Sequence, residues 1–483
     1  MSLKRENPRT KLFNRRTALL LGGQVGLFSL LAARMYYLQV IESEKYKVLA
    51  DENRISLRLL APPRGRVLAR DGEVLAVNQL NYRAVVVPEQ TGSVPATLDV
   101  ISNILNLSEG ERRRILREVA RKRRFLPITI RDNLSWDDVA RIAVNAQDLP
   151  GVLIDSGSSR YYPFGAELAH LVGYVAPPSE ADLTGDPLLE LPDFRIGRNG
   201  IERIYDLAMR GKAGTTQLEV NAAGRPIREL SRAEGVPGND IVLTIDLHLQ
   251  RKLSERLAQE ESGAAVLMDV HNGEILALAS TPSYDPNEFS KGIPAGLWRT
   301  LVADHRHPLN NKAVSGTFAP GSTFKMMTAI AALEAGVISP EQRVGCRGWV
   351  ELGDARFHCW KKGGHGPVDL MDGIKYSCDV YFYELARRVG IDKIAEVSRR
   401  FGLGQTVGID LPNEKSGLIP TRAWKRATLG QPWAQGESLV NGIGQGYITT
   451  TPLQLAVMTA RLVNGGYAIQ PRLTRDAING RAA

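Results

Sequence analysis

The sequence predicts an α+β protein with a single N-terminal transmembrane helix. Residues 17–33 form an apolar run without a charged side chain. Residues 263–281 hold two apolar segments on either side of the turn His271-Asn272-Gly273, which indicates a pair of antiparallel strands. Residues 316–336 show an apolar helical pattern that predicts a buried helix.

The N-terminal segment has the charge distribution of a membrane anchor. Residues 1–16 carry six basic side chains and one acidic side chain, which is +5 of the net charge of +9. We predict a cytoplasmic basic leader over residues 1–16 and a transmembrane anchor over residues 17–38, with Tyr36 and Tyr37 where an aromatic belt lies. The positive-inside rule then puts everything after about residue 40 on the far side of the membrane.

A cleaved signal peptide is the alternative interpretation of this segment. Leu30 stands where cleavage after Ala32 requires a small residue, and the apolar run is long for a signal peptide. We therefore favour an uncleaved anchor. The remainder of the 483 residues, with 43% hydrophobic residues in the whole chain, is long enough for two or three domains. The concentration of charge beside the apolar run indicates a membrane partner and no nucleic acid.

The sequence after the anchor predicts strands, turns and helices. Residues 51–76 are rich in Pro and Gly, the segment "YRAVVVPE" predicts a strand, and residues 97–147 predict helices. Residues 195–225 contain "GRNG" and "GKAG", but no buried strand precedes these glycines, so they are not a nucleotide-binding fingerprint. A second region opens near Asp240 with a strand that leads into a helix.

Within residues 316–336, the predicted helix begins at Ser322, and Lys325 lies in its first turn. A serine hydroxyl needs a base within hydrogen-bond reach to become a nucleophile, and a lysine can serve as that base. Side chains three residues apart share a helix face, so we expect Lys325 to reach the Ser322 hydroxyl directly. Backbone N–H groups at a helix start also favour an acyl oxyanion. Ser-x-x-Lys alone is a weak motif, but this pair suits acyl transfer.

Seven segments along the chain carry recognisable motifs: "PPRGRVLARDGEVLA", "RYYPFGAELAHLVGYV", "GRNGIERIYDLAMRGKAG", "GAAVLMDVHNGEILALASTPSYDPNEF", "NKAVSGTFAPGSTFK", "YSCDVYFYELA" and "NGIGQGYITTTPLQLA". Taken in order, they resemble the class B penicillin-binding proteins, and "CWKKGGHGPVDL" followed by Ser-Cys-Asp resembles their elongation-type members. The resemblance covers nearly the whole chain. It implies an elongated α+β pedestal domain over residues 39–238 and a serine transpeptidase domain, with helices around an antiparallel sheet, over residues 239–483.

The resemblance implies a D,D-transpeptidase mechanism. Ser322 is the acylated nucleophile, Lys325 its general base, and Ser377 and Asp379 form the second motif, in which Ser377 relays a proton. The substrates are peptidoglycan stem peptides that end in D-alanyl-D-alanine, and β-lactams acylate the same serine. The expected partners are a polytopic rod-shape glycosyltransferase and other elongation-complex proteins. The expected location is the bacterial inner membrane, with the catalytic domain in the periplasm.

The third motif of that family, Lys-Thr/Ser-Gly, does not follow residues 441–456 in this sequence. Lys415-Ser416-Gly417 stands earlier, between Pro412 and Pro420, and we interpret it as a loop coincidence. The expectation is therefore a C-terminally incomplete member that lacks an edge of its sheet and half of its oxyanion hole. Loss of one oxyanion donor costs about 3 kcal/mol of transition-state stabilisation, so the chain as written is expected to be nearly inactive. Two alternatives stay open: a hydrolase of the carboxypeptidase or β-lactamase type, and a non-catalytic wall-elongation scaffold or β-lactam sensor.

The three cysteines fall close together, at Cys346, Cys359 and Cys378, with His365 between the last two. Three thiolates and an imidazole are a full tetrahedral ligand set for structural zinc. The elongation-type members can carry zinc beside the second motif, which supports this set, although Cys346 and Cys359 depart from the aspartates found at some ligand positions there. A Cys346–Cys359 disulfide is the alternative in an extracytoplasmic domain, and Asp354 and His358 are competing ligands.

Overall fold

A computed structural model describes residues 8–42, 55–121, 124–191, 194–221 and 226–475 of the chain. The chain divides into two compact units. One contains residues 1–60 with residues 213–235, and the other contains residues 61–212 with residues 236–483. Residues 1–7 of the predicted leader and residues 476–483 of the predicted transpeptidase domain lie outside the described residues.

The chain contains runs of strands and runs of helices, as expected for an α+β protein. The helices are α1 Pro8–Tyr36, α2 Val94–Leu105, α3 Glu109–Arg121, α4 Trp136–Val144, α5 Ala169–Val172, α6 Gly200–Ile204, α7 Asp206–Arg210, α8 Leu247–Leu257, α9 Pro286–Ser290, α10 Ala295–Ala303, α11 Lys312–Ser315, α12 Lys325–Glu334, α13 Leu370–Lys375, α14 Asp379–Val389, α15 Ile391–Arg400, α16 Arg422–Leu429, α17 Gln435–Gly442 and α18 Pro452–Val463. The strands are β1 Ile55–Leu60, β2 Val67–Leu68, β3 Val74–Val86, β4 Ile128–Arg131, β5 Val152–Tyr161, β6 Val175–Ala176, β7 Ile196–Gly197, β8 Gly214–Val220, β9 Pro226–Ala233, β10 Ile241–Val242, β11 Gly263–Met268, β12 Ile275–Thr281, β13 Val344–Cys346, β14 Trp349–Leu352, β15 Ala355–His358 and β16 Gly366–Val368.

The first unit contains the predicted anchor helix and a small sheet. Helix α1 continues through a short π-helical turn to Ile41, and the stretch Arg15–Ile41 has 27 residues, among which an 18-residue window has a mean hydropathy of 1.5. By length and composition it can cross a membrane, and among the described residues it is the one helix that can do so. Strands β1, β8 and β9 form an antiparallel sheet in that order.

The first part of the second unit is a five-stranded sheet with its own helical layer. Strand β3 pairs with β2, β4 and β5, and β10 extends the sheet beside β2. Helices α2, α3 and α4 pack on this sheet through a separate apolar core. The prediction of helices over residues 97–147 is wrong at β4, where buried Ile128 and Ile130 alternate with Thr129 and Arg131. This period of two is only four residues long and lies between charged helical segments, so the helical pattern concealed it.

A buried ion network joins three segments of this part that are far apart in sequence. Glu202 accepts hydrogen bonds from Arg64 Nε and Arg160 Nε, each at 2.7 Å. The Glu202 side chain is fully buried, and the side chains of Arg160 and Arg64 are 2% and 10% exposed. Asp206 accepts from Arg64 Nη1 at 2.8 Å. Since an isolated buried charge is costly, the segments around these residues hold one another in place.

The second part of this unit contains the strand pair that the sequence predicts. Strands β11 and β12 pair antiparallel around the turn at Gly273, whose φ of 80° is favoured by glycine. The sheet has two strands, with isolated bridges nearby at Glu274–Arg472 and Leu243–Thr474. One core includes residues of β2 and β10 as well as β12 and α18, among them Val67, Ile241, Ile275, Leu453 and Leu473. The domain boundary at residues 238–239 stays a prediction.

Candidate active site

The predicted nucleophile Ser322 lies in a tight turn that leads into helix α12. Gly321–Phe324 form a 3-10 turn, and the α-helix begins at Lys325. Phe324 is fully buried and anchors the turn, whereas Ser322 is exposed. The Gly321 N–H donates to the Gly444 carbonyl at 2.9 Å, and a Cβ at Gly444 would lie 2.2 Å from the Gly321 oxygen. Only glycine at position 444 therefore allows this backbone approach.

Lys325 points into the protein and is surrounded by residues of the second predicted motif. Its Nζ donates to the Ser377 carbonyl at 2.9 Å, to Ser377 Oγ at 3.0 Å and to Asp379 Oδ1 at 2.6 Å. The side chain is 4% exposed, and its ammonium lies 5.6 Å from the centre of the Phe382 ring. Three hydrogen-bond acceptors and one aromatic ring thus replace the water molecules that the ammonium loses when it is buried.

Ser377 is the link between Lys325 and Ser322. Ser377 Oγ donates to Ser322 Oγ at 2.9 Å, so a hydrogen-bond chain runs from Lys325 through Ser377 to Ser322. The expected direct hydrogen bond between Lys325 and Ser322 is not present in the structure. The i,i+3 expectation considered only the shared helix face, whereas the Lys325 ammonium is engaged by Ser377 and Asp379, and Ser377 Oγ takes the place beside Ser322.

Ser377 has an unusual backbone conformation for a non-glycine residue. It follows the end of α13, and its φ of 49° lies in the left-handed region. Such a conformation costs on the order of 1–3 kcal/mol and occurs often at functional sites. The Ser377 N–H donates to Ile374 O at 3.1 Å, and the next N–H, of Cys378, donates to Gly373 O at 2.9 Å. These two bonds stabilise the turn that directs Ser377 Oγ toward Ser322.

Asp379 connects the Ser–Lys pair with the cysteine-containing loop. It begins helix α14, and while Oδ1 accepts from Lys325, Oδ2 accepts from the Trp360 backbone N–H at 3.0 Å. The Trp360 indole N–H also donates to the Tyr376 carbonyl at 3.1 Å. The sequence gives no signal for Trp360, because its contact with Asp379 is made by a backbone group that every non-proline residue carries.

The four predicted metal ligands come together in the structure. The ligand atoms of Cys346, Cys359, His365 and Cys378 all lie within 4.8 Å of one another, and the three cysteines are free thiols. His365 Nδ1 is 3.6 Å from the sulfurs of both Cys346 and Cys359. Tetrahedral zinc, with Zn–S near 2.3 Å and Zn–N near 2.05 Å, needs sulfur-to-nitrogen separations of about 3.5 Å. The donor set and its spacing fit this ion.

The competing ligands lie outside this cluster. Asp354 and His358 are exposed residues of the hairpin β14–β15, and neither belongs to the group of converging ligand atoms. Burial, and next the nearby Lys361, lowers the pKa of His365, which leaves its imidazole neutral at pH 7 as metal binding requires. Cys378 is fully buried and stands directly between Ser377 and Asp379.

The Lys415-Ser416-Gly417 triplet lies in a loop, as the sequence predicts. Gly417 has a φ of 61°, and the Ser416 carbonyl accepts a hydrogen bond from Gln454 at 2.8 Å. In the part of the chain that the structure describes, no hydrogen bond joins this loop to Ser322, Lys325 or Ser377. The triplet therefore has no contact of that kind with the candidate site.

Comparisons with known proteins agree with this architecture. Residues 59–243 match the family described as Penicillin-binding Protein dimerisation domain, and residues 263–481 match that described as Penicillin binding protein transpeptidase domain. The peptidoglycan D,D-transpeptidase MrdA of Escherichia coli is 39% identical over 469 residues, which are 96% of this chain and 74% of that protein. The MrdA of Haemophilus influenzae is 37% identical over 478 residues, which are 97% of this chain and 73% of that protein.

Two solved structures are similar over most of their length. Penicillin-binding protein 2 of Helicobacter pylori, in complex with MreC, has a TM-score of 0.78 and 29% identity, and the match covers 89% of this chain and 80% of that one. Penicillin-binding protein 2 of Pseudomonas aeruginosa, in complex with WCK 5153, has a TM-score of 0.66 and 32% identity over 87% of this chain and 73% of that one. The α+β fold and the elongation-type resemblance are thereby confirmed, and the chain belongs to the penicillin-binding protein 2 (MrdA) family of peptidoglycan D,D-transpeptidases.

Proposed function

We propose that this protein cross-links peptidoglycan stem peptides during cell elongation through an acyl-enzyme on Ser322. The observation that supports the proposal best is the hydrogen-bond chain from Lys325 through Ser377 to the exposed Ser322 hydroxyl. A serine, a lysine base and a second hydroxyl within hydrogen-bond distance are the groups that an acyl transfer needs.

In the first half-reaction, Ser322 Oγ attacks the carbonyl carbon of the penultimate D-alanine. The Oγ–C bond forms, the C–N bond to the terminal D-alanine breaks, and the proton of Ser322 ends on the leaving amine. Lys325 acts in this step as the neutral amine: it accepts the proton through the Ser377 hydroxyl, becomes an ammonium, and then gives the proton up to the leaving amine. In the second half-reaction an amino group of a neighbouring stem peptide attacks the ester, its proton returns to Ser322, and the new amide is the cross-link.

Asp379 has a positioning role in this scheme. It holds the Lys325 ammonium at 2.6 Å and is itself held by the Trp360 N–H. The Lys325 Nζ therefore keeps its place beside Ser377 Oγ when the proton moves. β-Lactams, whose strained amide resembles the scissile bond, acylate Ser322 by the same first step.

We further propose that Cys346, Cys359, His365 and Cys378 hold one structural zinc ion. When bound, the ion supplies a fixed tetrahedral centre and no reacting group, because all four ligands come from the protein. Its effect on catalysis is positional, since Cys378 lies between Ser377 and Asp379 in sequence. The test is elemental analysis, which should find about one zinc per chain. Cys378→Ser should lower the zinc content, whereas His358→Ala, beside the cluster, should not.

The proposed location is the bacterial inner membrane, with a single span, the N-terminus in the cytoplasm and the catalytic part in the periplasm. The apolar helix over Arg15–Ile41 and the basic residues before it support this topology. We propose partners of the elongation complex, including a polytopic rod-shape glycosyltransferase. Two structural relatives support this class of partner, one solved with MreC and one described as a peptidoglycan synthase complex that coordinates polymerization and crosslinking.

Turnover of a D-alanyl-D-alanine stem peptide tests the proposed function. The purified protein should release D-alanine and form cross-linked dimers when an acceptor peptide is present. Lys325→Ala and Ser377→Ala should each lower the rate of D-alanine release by about 10²-fold or more, the usual contribution of a proton-transfer group. A Ser377→Ala rate within twofold of the unsubstituted protein would remove Ser377 from the relay.

A further inference from the structure

A large cavity lies in the helical part of the second unit, apart from the Ser–Lys centre. Its volume is about 690 Å³, and it is bordered by the end of helix α14, helix α16 and the turn before helix α17. Arg387, Arg422 and Arg426 contribute to its wall, together with Trp433 and Gln435. No acidic side chain is among the residues that line it.

The arginines give this cavity an excess of positive charge. Arg387 pairs with Glu384, which also pairs with the neighbouring Arg388, so that one carboxylate is shared by two guanidinium groups. Arg422 Nε lies 3.5 Å from Asp392, and both side chains are more than half exposed. Arg426 has no acidic partner within the described residues. Guanidinium groups bind carboxylates by paired, charge-assisted hydrogen bonds, so the wall has the chemistry of a carboxylate site.

Trp433 forms a rigid part of the same wall. Its indole N–H donates to Ser438 Oγ at 2.9 Å, and its ring lies 6.2 Å from the ring of Tyr447. These contacts fix the orientation of the indole, which is only partly buried. An aromatic surface beside arginines provides apolar contact for the chain that carries the carboxylate.

The helices that border the cavity also carry the catalytic groups. Asp379 begins α14, and Arg387 follows eight residues later, about 12 Å along the helix axis. Tyr383 lies between them at i+4 spacing, so that Asp379, Tyr383 and Arg387 lie near one face of α14. At the far end of α17, the Gly442 carbonyl accepts a hydrogen bond from Thr328 of α12 at 2.7 Å. The helix α14 and the contact between α17 and α12 therefore connect the cavity wall to the elements that carry the Ser–Lys centre.

We propose that this cavity binds a free carboxylate of the peptidoglycan strand, at a point remote from the reacting D-alanine. About 12 Å of α14 separates Asp379 from Arg387. An extended peptide advances about 3.3–3.6 Å per residue, so three or four residues of a stem peptide cover that length. Stem peptides carry free carboxylates besides the terminal one, so the same substrate supplies the anion. The inference rests on the proposed function, because it assigns a second contact to the same substrate.

Binding of a soluble, uncross-linked disaccharide-pentapeptide tests the inference. Arg426→Ala and Arg422→Ala should each raise its Kd about tenfold, as expected for loss of a charge-assisted hydrogen bond. Arg388→Ala is the matched control, because Arg388 also pairs with Glu384 but does not line the cavity. It should leave the Kd unchanged. The same fragment with amidated carboxylates should bind more weakly and respond to none of these substitutions.

Two results would overturn the inference. One of them leaves the proposed transpeptidase function intact, and the other removes that function as well. If Arg426→Ala and Arg422→Ala keep their thermal midpoints and bind the fragment as tightly as the unsubstituted protein, the cavity is not a carboxylate site, whereas the proposed transpeptidase function is unaffected. If the unsubstituted protein neither binds the fragment nor forms a β-lactam adduct on Ser322, the proposed function fails together with this inference.

Discussion

Replacement of Glu202 by glutamine should strongly destabilise the second unit. Glu202 is fully buried and accepts hydrogen bonds from Arg64 and Arg160, whose side chains are 10% and 2% exposed. A glutamine amide keeps the shape but removes the negative charge, and its NH₂ group turns a donor toward a guanidinium. Removing one partner of a buried ion network costs about 3–5 kcal/mol, because the remaining charges stay buried. We expect a loss in this range.

The stabilisation by Glu202 should be lost at low pH. Burial disfavours the Glu202 carboxylate, but the charges of Arg160 and then Arg64 outweigh this and lower the pKa of Glu202 below its usual 4.5. The stabilisation is therefore fully present above about pH 4.5 and is lost as the pH falls through the folded-state pKa. In Glu202→Gln, the free energy of unfolding should no longer show this fall at low pH.

Urea unfolding followed by circular dichroism measures the loss as a shift of the midpoint at constant slope. The matched control is Glu260→Gln, which removes an exposed partner of Arg256 and should cost no more than about 1 kcal/mol. Equal midpoints for Glu202→Gln and Glu260→Gln would refute the reasoning that the network holds the three segments together.

Three further predictions concern Ser377, His170 and the cysteine cluster. Ser377→Gly should be about 1 kcal/mol more stable than Ser377→Ala in thermal unfolding, because both lose the hydroxyl but only glycine accepts the φ of 49° without strain; equal stabilities would argue against strain. Burial, and next the Lys312 charge, lowers the pKa of His170 to about 4, so stability should fall by up to about 3 kcal/mol as the pH drops from 6.5 to 4. If the stability of His170→Phe falls by the same amount between pH 6.5 and pH 4, His170 is not the cause of the fall. Removal of metal by a chelator should lower the melting temperature and slow β-lactam acylation, and His365→Ala should do both without chelator; an unchanged melting temperature would exclude a structural ion.

Much of the site could be predicted from local sequence patterns. The strand pair around Gly273 has a turn signal between two apolar runs, and the four ligand residues were recognisable because cysteine and histidine are few and close in sequence. The resemblance supplied Ser377 and Asp379 as partners of Ser322 and Lys325. In each case a few neighbouring residues, or a motif, carried the information.

The remaining features depend on contacts that local patterns do not contain. The link from Lys325 to Ser322 depends on Ser377, which is 52 residues from Lys325 and 55 residues from Ser322, and the turn that carries Ser322 is held by Gly444. Glu202 is 138 residues from Arg64, so their pairing has no local signature. Trp360 acts through its backbone, and strand β4 is too short for its alternation to outweigh the helical pattern around it.

The site of covalent modification by a penicillin tests most directly whether Ser322 is the acylated nucleophile. The purified protein should be incubated with the drug, digested and analysed by mass spectrometry. We expect one adduct, on the peptide that contains Ser322. It should be absent in Ser322→Ala and should form more slowly in Lys325→Ala. An adduct on any other residue, or undiminished labelling of Ser322→Ala, would contradict the claim that Ser322 is the acylated nucleophile.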